Sequence, residues 1–151
     1  MKNIILILLI FTLTSCGYST VYNKNNTTKN LNIVVQNMEG DRSINNLVHR
    51  KLKKYSTDKT DEMYIIDLDS SLSKSTISKD KTGKATNINL SVNINFDVRF
   101  DEKNENFSFR ENINIENSSD LYEQNKYENE IKNNFADSII EKLILKLSQI
   151  K

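Results

Sequence analysis

Between Ile88 and Phe100 every second residue is apolar: Ile88, Leu90, Val92, Ile94, Phe96, Val98 and Phe100 alternate with Asn89, Ser91, Asn93, Asn95, Asp97 and Arg99. Side chains leave a strand on opposite faces in turn, so a pattern of period two demands a strand with one face in a core and the other in water. A helix cannot use it. At about 3.3 Å per residue the run also exceeds the usual length of about five or six residues. It is expected to bend or to project past its neighbours.

Three weaker strand signals surround it. Met63 to Leu72 alternates with Tyr64, Ile66, Leu68 and Leu72 on one face and Asp67, Asp69 and Ser71 on the other. Phe107, Phe109, Ile113 and Ile115 set against Ser108, Arg110, Asn112 and Asn114 predict a strand after a polar turn over 101–106. Leu31 to Val35 is short, β-branched and apolar on both faces, which suggests a first strand covered by helices. Between the second and third strands, residues 73–83 are polar and end in Gly83. They read as a hairpin loop or a frayed extension of both strands.

Two segments carry the helical period instead. After Gly40, with Asp41 or Ser43 placed to cap, Ile44, Leu47, Val48, Leu52 and Tyr55 recur at helical spacing. Arg50, Lys51, Lys53 and Lys54 crowd the last turns, where positive charge complements the helix dipole. His49 beside them is expected at the surface. Asn117, Ser118, Ser119 and Asp120 then offer caps for a long closing helix. Its stripe is Ile131, Phe135, Ala136, Ile139, Ile140, Leu143, Ile144 and Leu147, and Glu128, Glu130, Lys132, Glu141, Lys142 and Lys146 are assigned to the solvent side. The order β-α-β-β-β-α gives an α+β two-layer sandwich, a four-stranded sheet with two helices packed on one face.

The N-terminus obeys different rules. Lys2 precedes the apolar run Ile4 to Phe11, which is too short to cross a hydrocarbon layer of about 30 Å, and Leu13-Thr14-Ser15-Cys16 closes it. This is the pattern of a bacterial lipoprotein signal peptide over 1–15, with Cys16 as the acylated residue. Residues 16–30 are polar and without period, a lipidated flexible tether, and 31–151 form a single α+β domain. Several acyl chains on Cys16 would hold the protein at a membrane permanently, since each buried CH₂ contributes about 0.8 kcal/mol. Removing residues 1–15 from the 151 leaves 136, and with Lys2 gone the formal charge of +1 becomes zero. A balanced charge does not suit a general nucleic-acid binder.

The catalytic inventory is small. Cys16 is the only cysteine and His49 the only histidine, so no internal disulfide, histidine-bearing triad or multi-histidine metal site is expected, and no enzyme activity or cofactor. Four lysines, Lys74, Lys79, Lys81 and Lys84, flank the connection between the second and third strands.

Together these residues resemble those of the LPS-assembly lipoprotein LptE family in its alphaproteobacterial form. Cys16-Gly17-Tyr18-Ser19-Thr20-Val21-Tyr22 is similar to the family's Cys-Gly-Phe-x-Pro-Leu-Tyr opening, with Thr20 where proline is usual. Asp41-Arg42 leading to Leu47 and Leu52, Thr82-Gly83-Lys84-Ala85-Thr86 before the long alternating strand, and the closing helix from Tyr127 to Leu147 also look alike. The resemblance implies an outer-membrane lipoprotein of lipopolysaccharide transport that plugs the LptD barrel, assists its assembly and contacts lipopolysaccharide. Lys74, Lys79, Lys81 and Lys84 are then the expected phosphate contacts, with the cluster at the first helix end as the other candidate. A different reading is a periplasm-facing lipid carrier with an apolar cavity, lined by Phe96, Phe100, Phe107, Phe109 and Phe135.

Overall fold

The structure, a computed structural model, describes residues 31–57 and 63–150. The expected signal peptide, Cys16 and the tether lie outside the described residues. Six elements follow in the order anticipated: β1 (Asn32–Gly40), α1 (Arg42–Leu52), β2 (Met63–Lys79), β3 (Ala85–Phe100), β4 (Lys103–Glu116) and α2 (Leu121–Leu147). The strands form one mixed sheet in the order β1-β2-β3-β4. β1 runs parallel to β2, with α1 as the crossover, and the remaining pairs are antiparallel hairpins.

Both helices lie on one face. β3 delivers Ile88, Leu90, Val92, Ile94, Phe96 and Val98 to the core, each at most 2% exposed, opposite Ile139, Ile140, Leu143 and Leu147 of α2. Tyr64 of β2 stacks on Phe100 at 4.4 Å between centroids, and Phe109 meets Phe96 edge-on at 6.0 Å. The phenylalanines considered as a cavity lining thus serve as packing. α1 covers the end of the sheet near Leu31, and α2 runs the full length, from beside the β2–β3 tip back to Tyr64, whose hydroxyl donates to the Leu147 carbonyl at 3.4 Å.

The junction between β1 and α1 is a tight polar knot. Gly40 has φ +87°, and a Cβ there would lie 1.8 Å from the Ser70 carbonyl oxygen, so no other residue fits without displacing β2. Asp41 N–H donates to that same carbonyl at 2.9 Å, and the Asp41 carboxylate caps α1 by accepting from Ile44 N–H. Buried Ser70 donates to the Asn45 side-chain oxygen at 2.6 Å, and the Asn45 amide donates to the Glu39 carbonyl. Buried polar groups are tolerable only when paired in this way.

Several sequence expectations need correction. β1 is an edge strand covered on one face only. It runs to Gly40 with a bulge at Gln36, and Val34 on its outer face is 43% exposed. Of the two readings of residues 73–83, a hairpin loop or an extension of both strands, the extension holds as far as Lys79. β2 continues that far because its backbone stays paired with β3 even where neither face is buried. Its buried inward face is Tyr64, Ile66, Leu68 and Ser70, and Leu72, next in the alternation, is only partly buried. β4 begins at Lys103, after a turn of Asp101 and Glu102 in which Asp101 takes φ +54°. His49 is half-buried, and its Nδ1 is enclosed with no hydrogen-bond partner among the described residues. Glu128 is buried, not on the solvent side of α2.

Candidate functional site

The long β2–β3 hairpin carries three of the four lysines at its far end. β1 pairs with β2 only as far as Ser70, so residues 71–79 project beyond it. The tip is shaped by Asp80, whose carboxylate accepts from Thr82 N–H at 2.8 Å, Thr82 Oγ1 at 2.6 Å and Lys84 N–H at 3.0 Å. The Thr82 hydroxyl first, then the Lys84 N–H, hold the Asp80 carboxyl below its ordinary value. Gly83, at φ +85°, lets the chain return, and its N–H donates to the Asp80 carbonyl. Lys79, Lys81 and Lys84 are exposed around this closed turn. The carboxylate in their midst is consumed by the backbone it organises.

Lys74 is not part of that group. It lies five residues down β2, about 16 Å at the usual rise, and its ammonium donates to Glu128 of α2 at 2.6 Å. The Gln124 side-chain amide donates to the same Glu128 oxygen at 2.7 Å, and its Oε1 accepts from Ser118 N–H. Burial pushes the Glu128 carboxyl up, but the hydrogen bonds from Lys74 and Gln124 outweigh it and leave the group below its usual value. This network pins the first half of α2 to β2. It does not present a free cation.

Around the tip the surface is also apolar. Ile77 of β2 is 51% exposed, and Leu121, Tyr122 and Tyr127 in the first turns of α2, which starts beside the tip, are 77%, 74% and 47% exposed. The α2 start is fixed there by Asn117, whose N–H donates to the Thr86 carbonyl and whose side chain donates to the Ala85 carbonyl, and by Asp120, which caps Tyr122 and Glu123. None of these four residues belongs to the periodic stripes that mark strands and helices in the sequence. The signal was present in Leu121 and Tyr122, large apolar residues in the first turn of α2, ahead of the residues that make its stripe. A cleft of about 320 Å³ nearby is lined by Glu116, Glu123 and Glu130 with Lys126, a balance that repels anions.

The helix-end cluster is arranged differently. Lys51 donates to Asp137 at 2.5 Å and so ties α1 to α2. Arg50, Lys53 and Lys54 border an interhelical cleft of about 400 Å³ with Leu47 and Asn133. This cluster stands at the opposite end of the molecule from the tip, beside Leu31, whose N–H donates to the Tyr55 carbonyl. Burial, Glu141 and Asp137 together raise the Tyr55 phenol above its ordinary value.

The fold and these two ends define a class: a two-layer α+β domain with Leu31 and the first helix end at one pole and a basic and apolar hairpin tip at the other. Solved structures share this fold. Rare lipoprotein B from Shewanella oneidensis superposes with a TM-score of 0.54 at 17% identity, covering 74% of this chain and 96% of that one. A protein of Caulobacter crescentus assigned as a lipoprotein gives 0.55 at 13% identity, over 81% and 90%. Lipoprotein B from Nitrosomonas europaea, solved in solution, gives 0.50 at 11% identity, over 78% and 84%. No protein-family profile matches the sequence, and a search of curated proteins finds no relative.

Proposed function

We propose that the chain is an exported lipoprotein, anchored through Cys16 in the outer membrane, that acts in lipopolysaccharide transport as the plug and assembly partner of an LptD-type barrel. The observation that carries this reading is a lipoprotein cleavage pattern ahead of a domain whose fold is that of proteins described as lipoproteins. The domain's outer sheet face suits the polar lumen of a large outer-membrane barrel. Apart from Val34 and Met63 at the Leu31 end, it is rich in polar pairs, among them Arg99 with Asp67 at 2.9 Å and with Gln36 at 2.5 Å.

In this role the tip meets the lipid. Lipid A bears phosphates next to acyl chains, and the tip sets Lys79, Lys81 and Lys84 at the same end as Ile77, Leu121 and Tyr122. Ammonium groups supply charge-assisted hydrogen bonds to phosphate, and the apolar side chains shield the first methylenes from water. The carrier reading would need an apolar cavity where Phe96, Leu90 and Leu143 fill the space between sheet and helices.

Two measurements test the proposal. Cys16→Ala is expected to abolish incorporation of labelled fatty acid and leave an unprocessed precursor. Capture of the acylated protein from detergent-solubilised membranes is expected to bring down a large barrel protein. Normal processing of the variant would end the lipoprotein reading, and capture without a barrel would end the plug reading while leaving the anchor intact.

A further inference from the structure

Three features coincide along β4. Its fourteen residues pair with β3 one for one, without a register shift. β1 at the opposite edge is shorter and bulged at Gln36, and the projecting half of β2 carries two register shifts. A sheet edge offers a row of backbone donors and acceptors to any further strand, and shortness or bulges are common protections. β4 has neither. On its helix side Phe107 and Phe109 are only half-buried and Ile113 is 38% exposed. Leu145, 57% exposed, shares a helical stripe with Ser138 and Lys142, whose side chains both reach Glu111 of β4, so it overhangs the same edge.

We propose that this edge is an interface and that its occupant is a second copy of the chain, β4 against β4, antiparallel about a two-fold axis perpendicular to the sheet. Such an interface must be complementary to itself. With Phe109 facing its counterpart, the helix side sets Phe107 against Glu111, Glu105 against Ile113 and Lys103 against Ile115. The outer side sets Asn104 against Asn114, Asn106 against Asn112 and Ser108 against Arg110. Within the overlap 103–115 no like charges stand directly opposite each other, and only at the two frayed ends does Glu116 approach Glu102 of the other copy; the asparagine amides can bond in pairs, and the two Phe109 rings meet at the axis.

Neighbouring registers fail. An axis at Ser108 opposes Glu105 to Glu111, an axis at Arg110 opposes that arginine to itself, and an axis at Phe107 shortens the overlap to 103–111. An axis between residues would turn the helix side of one copy to the outer side of the other. The product is one eight-stranded sheet with all four helices on the same face. A formal charge of +1 for the full chain, zero once residues 1–15 are removed, offers little repulsion. The tip takes no part, so the interface stands apart from the lipid contact proposed above.

The test uses two full-length copies with different tags, co-expressed, one captured and the other quantified. Wild-type copies are expected to be captured together. Asn106 and Asn112 are exposed and away from the core, and a lysine at 106 keeps a donor for Asp97, to which the Asn106 amide donates on β3, so Asn106→Lys with Asn112→Lys sets lysine against lysine at both symmetric positions without removing a core contact. Capture of the second copy is expected to fall about tenfold. Asn106→Lys with Asn112→Glu sets opposite charges across the axis instead and is expected to restore capture to the wild-type level or above. Absence of the second copy in wild type, capture indifferent to the lysine pair, or equal loss in both double variants would overturn the proposal.

Discussion

Gly40 shows how one backbone position can fix the path of two strands and a helix. Gly40→Ala is expected to destabilise the protein by at least about 1–3 kcal/mol from its left-handed conformation alone, with the collision against the Ser70 carbonyl added. An unchanged urea midpoint would mean that the β1–α1 junction yields freely. Glu128 is the second residue of consequence. Together with Glu111, which burial would raise but the Lys142 and Ser138 hydrogen bonds hold down, it titrates in the folded protein below the ordinary 4.5. As pH falls the unfolded chain therefore takes up protons first, so the stabilisation is complete above about pH 4.5 and is lost as pH drops through the folded-state values. Glu128→Gln is expected to lower stability by about 1 kcal/mol at neutral pH and to flatten the loss of melting temperature below pH 4.5. A variant whose acid limb stays as steep as the wild type's would place the effect elsewhere. The sequence assigned Glu128 to solvent on its charge. Its phase, three residues before Ile131 and seven before Phe135, put it in the buried stripe, and phase proved the better guide.

At the scale of elements, legibility followed burial. β3 and α2 were readable because a filled core leaves a period in the sequence. Phe96→Ala or Leu143→Ala is expected to cost about 2–5 kcal/mol in thermal or chemical unfolding, and an unchanged melting temperature would reverse the inward face assigned here. The distal half of β2 left no such trace. From Ser73 to Lys79 its residues are mostly exposed on both faces, and backbone pairing to β3 alone keeps it extended, which side-chain pattern cannot record. The start of β4 was missed likewise, because Lys103, Asn104 and Glu105 are exposed and look like a turn. The basic tip was found from charge alone. That Lys74 stands apart from it could not be found so, because its partner Glu128 lies 54 positions away.

Over the whole molecule the parallel pairing of β1 with β2 sets the geometry. It places Leu31, where the chain leaves Cys16 behind, level with Met63 and therefore at the far end of the hairpin from Lys81 and Gly83. Reversing Lys79, Lys81 and Lys84 to glutamate is expected to weaken binding of the purified protein to lipopolysaccharide, with the difference shrinking as salt rises. Loss on reversing Arg50, Lys53 and Lys54 instead would move the contact to the opposite pole. At about 3.3 Å per residue the seventeen residues of β2 span about 55 Å, more than the roughly 30 Å hydrocarbon thickness of a bilayer. On the proposed reading, a protein rooted by its acyl chains in one leaflet holds its lysines at the height of the other. On that reading the span from Leu31 to the lysines is a fixed length of sheet, and only the tether before it needs to adjust for the protein to touch both sides at once.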